Sequence, residues 1–307
     1  MDKSTDSQVL SSTVIATIGR ASLARAVESV LSQEVEGGSF EVIVVNDSGR
    51  PLPHERWQDS DRVRILQTHR RERSVARNTG SAVSRGLYLH FLDDDDWMLP
   101  GAFEALWAVA RATNAAWVYG KTQFVDRNGK LLSESLINVN GNLLVQVMAS
   151  GAWLPIQASL IKAGEFFKAG GFDPRFSVCE DKDIGRRMAL RADFARTEVP
   201  VTCILIDRAT STSRYDRAFY YSQWSRDNVL SEKSSFARML ASASTRYWRG
   251  RMVRVYLEVV LWNLLKGRPF KMMRRLKAVC VTMFLSLPFL LAPDFIHGIF
   301  GSGDMLS

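Results

Sequence analysis

The stretch Gly86-Leu87-Tyr88-Leu89-His90-Phe91-Leu92-Asp93-Asp94-Asp95-Asp96-Trp97 decides the fold. A mostly apolar run with aromatic residues passes directly into four consecutive carboxylates and a tryptophan. The apolar half has the length and composition of a buried strand. The carboxylates then fall at the strand's C-terminal end, where an open α/β sheet places its ligand crevice. Four adjacent aspartates repel one another unless a counter-charge is present. A divalent cation meets that need, because Mg²⁺ or Mn²⁺ takes one or two carboxylates together with water and substrate phosphates. The plainer alternative is a solvated acidic loop ahead of a helix, and Leu99-Pro100-Gly101-Ala102 does read as a helix start.

Working outward, the chain alternates strand and helix. Val9 to Ile18 is rich in β-formers and ends at Gly19-Arg20, and Ala21 to Gln33 follows with Leu23, Val27, Val30 and Leu31 at helical spacing. Phe40 to Val45 is a second strand that stops at Asn46-Asp47, and Val63 to Leu66 a third. Arg73 to Ser84 reads as a helix leading into the opening stretch, and Phe103 to Ala112 as another. Asp126-Arg127-Asn128-Gly129 is a hairpin turn between two further strands. The alternation predicts an α/β fold, a mostly parallel central sheet flanked by helices. In such a sheet Thr17, Asp47 and Asp93 to Asp96 share one edge, with Arg77 close by. A crevice with carboxylates, an arginine and a metal site suits a nucleotide diphosphate.

The chain has 307 residues, 46% of them hydrophobic, which is ample for a large core. Its formal charge is +8. That excess suits nucleic acid, phosphate-bearing substrates or an anionic membrane. Three scattered cysteines, Cys179, Cys203 and Cys280, match neither a disulfide scaffold nor a zinc site and fit a reducing compartment. Met1 to Gln8 has no basic-then-apolar leader pattern. A cytoplasmic protein is therefore expected.

Six segments then resemble, in order, those of family 2 glycosyltransferases with the glycosyltransferase A fold. They are Ala16-Thr17-Ile18-Gly19-Arg20, the helix Val27 to Gln33, Glu41 to Ser48, Val75-Ala76-Arg77-Asn78-Thr79-Gly80, Phe91 to Trp97, and Gly170 to Phe176 with Glu180-Asp181-Lys182-Asp183 and Arg186. The resemblance implies a catalytic domain over 9–214 with a Rossmann-like nucleotide site. Thr17, Arg20, Asp47, Arg77, Asp93 and Asp94 would bind the nucleotide sugar. Asp95, with Asp93, would hold Mn²⁺ or Mg²⁺. Asp181 would be the catalytic base, with Glu180 and Trp153 on the acceptor side. The implied reaction is inverting transfer from a nucleotide-diphosphate sugar, a UDP-sugar being favoured. The acceptor would be a hydroxyl of a glycan or lipid-linked molecule, in cell-surface polysaccharide or glycolipid synthesis. Three positions depart from the family pattern: Ala16 stands for Pro, Gly19 for Asn, and Asn46 for the first Asp of the second-strand motif. No His stands in Asp207 to Ser213, where the family often completes its metal site. Asp207 is one substitute as ligand, and Arg208 or Arg214 one means of holding the diphosphate. A nucleotidyltransferase on a similar sheet and a non-catalytic sugar-nucleotide or partner-binding relative remain the alternatives.

Beyond residue 214 the composition changes. Arg246 to Tyr256 mixes cations with aromatics, Lys266 to Lys277 is basic, and Ala278 to Ala292 is apolar but broken by Pro288. This predicts a helical C-terminal region, 215–307, too short in apolar run to span a bilayer. It suits an anionic membrane surface at the cytoplasmic face. No nucleic-acid module accompanies it, so nucleic acid is not expected as a partner.

Overall fold

The computed structural model describes residues 8–70, 72–135, 139–144, 147–148, 153–206, 215–231 and 235–300. The elements run β1 (Val9–Thr17), α1 (Leu23–Leu31), β2 (Ser39–Asn46), β3 (Val63–Gln67), α2 (Arg73–Ala82), β4 (Tyr88–Asp93), β5 (Trp97–Met98), α3 (Ala102–Thr113), β6 (Trp117–Val125) and β7 (Leu131–Glu134). They continue β8 (Ser159–Lys162), α4 (Ala163–Lys168), α5 (Glu180–Ala189), β9 (Phe194–Leu205), α6 (Tyr215–Ser231), α7 (Ser235–Leu265), α8 (Pro269–Leu285) and α9 (Pro293–Phe300). They form two compact units: Met1–Leu143 with Trp153–Tyr221, and Leu144–Ala152 with Ser222–Ser307.

The first unit is built on a nine-stranded sheet of order β3-β2-β1-β4-β8-β6-β9-β5, with β7 paired to β6. The expected parallel arrangement holds across β3, β2, β1 and β4. Beyond β4 the sheet is mixed, because the short strands β5, β7 and β8 each pair antiparallel. Val42 to Val45 are fully buried, as a continuous apolar strand covered on both faces must be. Leu23, Ala26, Val27 and Val30 of α1 face that core, and so do Phe103, Leu106 and Ala110 of α3. Helix α2 lies close on the sheet because Gly80 has no side chain; a Cβ there would meet Val14 Cγ1 at 2.5 Å.

Two buried ionisable groups anchor the sheet. At the start of β2, Glu41 accepts from Ser12 Oγ at 2.7 Å, from Arg64 Nη2 at 2.8 Å and from the Arg85 amide at 2.8 Å. Burial opposes its charge, but these donors prevail and hold its pKa below the usual glutamate range. His90, fully buried in β4, lies between Thr13 Oγ1 at 3.1 Å and the Gln157 carbonyl at 3.0 Å. Burial pushes its pKa down to about 4, so the ring is neutral in the folded protein.

The second unit is helical. Tyr247, Met252, Val253 and Tyr256 of α7, Val279 of α8 and Phe295 of α9 are buried in it. An Arg246–Asp294 ion pair at 2.7 Å joins α7 to α9. Among the described residues no helix is long and apolar enough to cross a membrane.

His90 binds a proton readily only when unfolded, so its contribution to stability is present above the unfolded pKa and is lost as pH falls toward about 4. The stability difference between wild type and His90→Gln is expected to fall by about 3 kcal/mol between pH 7 and pH 4. Urea titrations across that range check it, and a pH-independent difference would count against a neutral buried ring.

Candidate active site

The strand register brings the expected residues to one edge. Thr17 pairs with Asn46, and Ala16 with Asp93, so Thr17, Asp47 and Asp93 terminate three adjacent parallel strands. They open onto a cleft of about 310 Å³ lined by Ala16, Thr17, Ile18, Arg20, Asp47, Arg73, Ala76, Arg77, Asp93, Asp94 and Asp95. Of the residues expected to bind donor or metal, all seven line it.

Each has a definite set of partners. Thr17 Oγ1 donates to Asp94 Oδ2 at 2.6 Å and accepts from the Gly19 amide at 2.9 Å. Arg20 Nη1 reaches Asp94 Oδ1 at 2.6 Å and Asp95 Oδ2 at 2.9 Å. Asp47 spends both oxygens on the loop before α2. It accepts from Thr68 Oγ1 at 2.7 Å and from the amides of Arg70 at 2.9 Å and Glu72 at 2.6 Å. Glu72 in turn caps α2 through the amides of Ser74 and Val75.

Arg77 is buried, with a side chain 3% exposed, and its guanidinium is shared. Nη2 meets Asp93 Oδ1 at 2.5 Å and Nη1 meets Glu180 Oε1 at 2.8 Å. Burial alone would lower the arginine pKa; Asp93 and Glu180 outweigh it and raise the pKa. The same pairing, with help from Arg73, holds Asp93 below the usual carboxylate range against its own burial. The cations with open surface on the cleft are therefore Arg20 and Arg73, about half and two-fifths exposed.

The remaining aspartates are less well neutralised. Burial, reinforced by Asp93 and Asp94, raises the Asp95 pKa despite Arg20. Burial and the charge of Asp93 raise Asp96 well above the ordinary range, although the Leu205 amide donates to it at 2.9 Å. Asp93, Asp95 and Asp96 can each offer a carboxylate oxygen within 4.8 Å of the others. Such an all-oxygen set, short of positive charge, fits a hard divalent cation. Asp207, Arg208 and Arg214, considered above for the site, lie outside the described residues.

On the acceptor side, Glu180 and Asp181 open α5, whose first turn is acidic and last turn basic, as the helix dipole favours. The Trp153 indole N–H donates to Asp181 Oδ2, and the Lys182 amide donates to Oδ1 at 2.8 Å. Burial, then the charge of Glu180, raises the Asp181 pKa. Asn78 ties this segment to α2, donating to the Phe172 carbonyl at 2.7 Å and accepting from the Phe172 amide at 3.0 Å. The approach requires Gly171, which has φ +65° and no Cβ to strike Asn78 Oδ1.

Sequence reasoning gave no role to Asp96, Gln157, Arg73 or Asn78. Gln157 Nε2 donates to Asp93 Oδ2 at 3.0 Å, while its buried Oε1 has no protein partner. Asp96 and Asn78 stood inside quoted motifs; Gln157 ends the stretch Trp153 to Gln157, which suggests part of an acceptor wall, and nothing in the sequence ties it to Asp93.

Removing Arg77 leaves two carboxylates without their shared cation. Arg77→Met is expected to cost about 3–5 kcal/mol of unfolding free energy, the range for breaking a buried ion pair. Arg77→Lys should cost less, and equal losses for the two would show that the forked geometry, not charge, is what matters.

Known proteins resemble this chain in sequence and in fold. Over 104 residues the chain is 32% identical to poly(ribitol-phosphate) beta-N-acetylglucosaminyltransferase TarP of Staphylococcus aureus, a match covering 32% of each chain. It is 30% identical over 116 residues to chondroitin synthase of Escherichia coli, covering 36% of this chain and 17% of that protein. The chain thus spans about a third of the one relative and under a fifth of the other. In fold it is similar to S. aureus TarS 1-349 crystallised with UDP-GlcNAc, with a TM-score of 0.59, 12% identity, and coverage of 76% of this chain and 70% of that one. The model of Glycosyl transferase family 2 matches residues 12–176, more than half of the 307 residues, and the chain belongs to that family.

Proposed function

We propose that the protein transfers a sugar, with inversion, from a UDP-sugar to a hydroxyl of a glycan or lipid-linked acceptor. The observation that carries this is the shared Arg77 guanidinium. It ties the acidic strand end at Asp93 to Glu180, the neighbour of Asp181, and so joins the cleft to the start of α5, although Glu180, Asp181 and Trp153 are not among the residues that line the cleft. The TarP and TarS likenesses favour a UDP-sugar donor.

Thr17, Arg20 and Arg73 line the cleft where base, ribose and diphosphate would lie. Asp47 acts indirectly, by holding the loop at 68–72. Arg77 acts by fixing the two carboxylates it bridges. Asp93, Asp95 and Asp96 would hold a divalent cation, Mn²⁺ or Mg²⁺, which when bound neutralises charge on the leaving diphosphate. Asp181 takes the proton of the acceptor hydroxyl as that oxygen bonds to the anomeric carbon and the bond to the diphosphate breaks. One displacement inverts the anomeric centre. A raised pKa makes Asp181 a stronger base than an ordinary aspartate, and Trp153 holds its carboxylate in place. The basic residues of the C-terminal helices support a location at the cytoplasmic face of a membrane, which suits a lipid-linked acceptor in polysaccharide or glycolipid assembly.

Asp181→Asn is expected to lower turnover by about a thousandfold or more, in line with loss of a general base. UDP with Mn²⁺ should still raise its thermal midpoint. No thermal response of the wild type to any nucleoside diphosphate would refute the reading in favour of a partner-binding relative. The acidic limb of kcat/KM should lie above the usual carboxylate range, with activity rising as Asp181 loses its proton. Glu180→Gln should move that limb to lower pH, because the Glu180 charge helps to raise the Asp181 pKa.

A further inference from the structure

A helix on a protein surface normally turns polar residues to water. The C-terminal helices do the opposite. Among the described residues of α7 the large exposed apolar side chains are Leu257, Leu261, Trp262, Leu264 and Leu265, four of them, Leu257, Leu261, Leu264 and Leu265, in one stripe at helical spacing. On α8 they are Phe270, Met273, Leu276, Val281 and Phe284, and Leu287 and Leu291 follow. Phe270 and Leu291 are each 90% exposed. Among the described residues, fourteen of the twenty-two large exposed apolar side chains lie between Leu257 and Phe300. Single exposed apolar residues are ordinary, whereas a contiguous set marks an interaction surface.

The charge pattern identifies the partner. Lys266, Arg268, Lys271, Arg274, Arg275 and Lys277 interleave with these residues, and no acidic residue occurs between Glu258 and Asp294. Lys266, Arg268 and Lys277 are exposed beside the apolar stripe, and Lys266 Nζ sits 4.8 Å over the half-exposed Trp262 ring. Cations mixed with aromatic and aliphatic side chains on one helical face match the boundary between anionic headgroups and acyl chains. Crossing the bilayer is a different matter. Helix α8, at 17 residues, is about 25 Å long, short of the ~30 Å hydrocarbon layer, and it carries four of the cations.

We propose that the turn between α7 and α8, with the outer faces of both helices, is a foot that inserts into one leaflet of an anionic phospholipid membrane. It is centred on Trp262, Phe270 and Phe284. The inference deepens the proposed membrane location by naming the surface, and it needs nothing from the transfer chemistry.

The test is flotation of the full-length protein with two kinds of vesicle. One is an equal mixture of phosphatidylglycerol and phosphatidylcholine, the other phosphatidylcholine alone. The expected result is at least about tenfold tighter binding to the anionic vesicles, weakening as salt is raised. Phe270→Glu with Phe284→Glu should abolish binding to both kinds. Lys266→Gln with Arg268→Gln and Lys277→Gln should erase the preference for anionic lipid while keeping residual binding. All these side chains are exposed, so both variants should keep the wild-type unfolding midpoint and its response to UDP with Mn²⁺. Asp181→Asn should float like wild type, which separates failure of this proposal from failure of the catalytic one. The proposal is overturned by an absence of wild-type flotation, by equal binding to the two vesicles, or by binding that survives the Phe270 and Phe284 substitutions. It is also overturned if those substitutions instead abolish self-association seen by light scattering without lipid, which would assign the surface to a second copy of the chain.

Discussion

The Arg77 guanidinium, itself buried, holds two carboxylates, the buried Glu180 and the partly exposed Asp93 of the cleft. It comes from α2, Asp93 from the end of β4, and Glu180 from the first residue of α5. A neutral residue there would leave one buried and one half-buried anion without their shared cation, and a lysine would lack the fork that meets both. Other features follow from keeping this cation in register. Glu72 caps α2, Asp47 steadies the loop that leads into it, Gly80 lets the helix lie close to the sheet, and Asn78 fastens the segment before α5. The helix serves less as scaffold than as the bracket between two halves of a cleft.

Glu41 shows what a buried carboxylate looks like when nothing is asked of it but stability. Ser12, Arg64 and Arg85 satisfy it fully, and its pKa falls. At the opposite edge of the same sheet, burial and neighbouring carboxylates raise the pKa values of Asp95 and Asp96, although Arg20 pairs with Asp95 and the Leu205 amide donates to Asp96. Carboxylates with raised pKa values in an otherwise well-paired structure mark a candidate ligand site. The contrast within one sheet is better evidence for that than the acidic run alone, which any solvated loop could display.

The parallel half of the sheet was readable because its signals are local. Strand and helix alternate with short turns between them, and one residue's period is enough to say which face is buried. The cleft edge followed, since Thr17, Asp47 and Asp93 fall at the C-terminal ends of strands that the alternation makes parallel. The antiparallel strands β5 and β8 were not visible: two and four residues carry too little pattern to declare themselves. Nor was the pairing of Arg77 with Glu180 visible, because 103 residues separate them and no periodicity reaches so far. Gln157 reaches Asp93 from a single turn of 3-10 helix, and a glutamine there looks like any other. Asp96 was seen but not distinguished, since four identical residues in a row give no hint which will turn inward.

The same sequence separation has a meaning for how the molecule assembles. Strands β1 and β2 close over about 30 residues and β1 with β4 over 77, while Arg77 with Glu180 and Asn78 with Phe172 close loops of 103 and 94 residues. Closure entropy rises only slowly with length, so these long closures cost little more than the sheet's own longest one. What sets the segment around Gly171 to Asp181 apart is that it is held to α2 by side chains and not by the strand ladder, and hydrogen exchange would register any opening of it below the stability of the sheet. Its detachment would part the proposed base, Asp181, from the proposed donor cleft without unfolding the sheet, so the site could be lost while the fold persists.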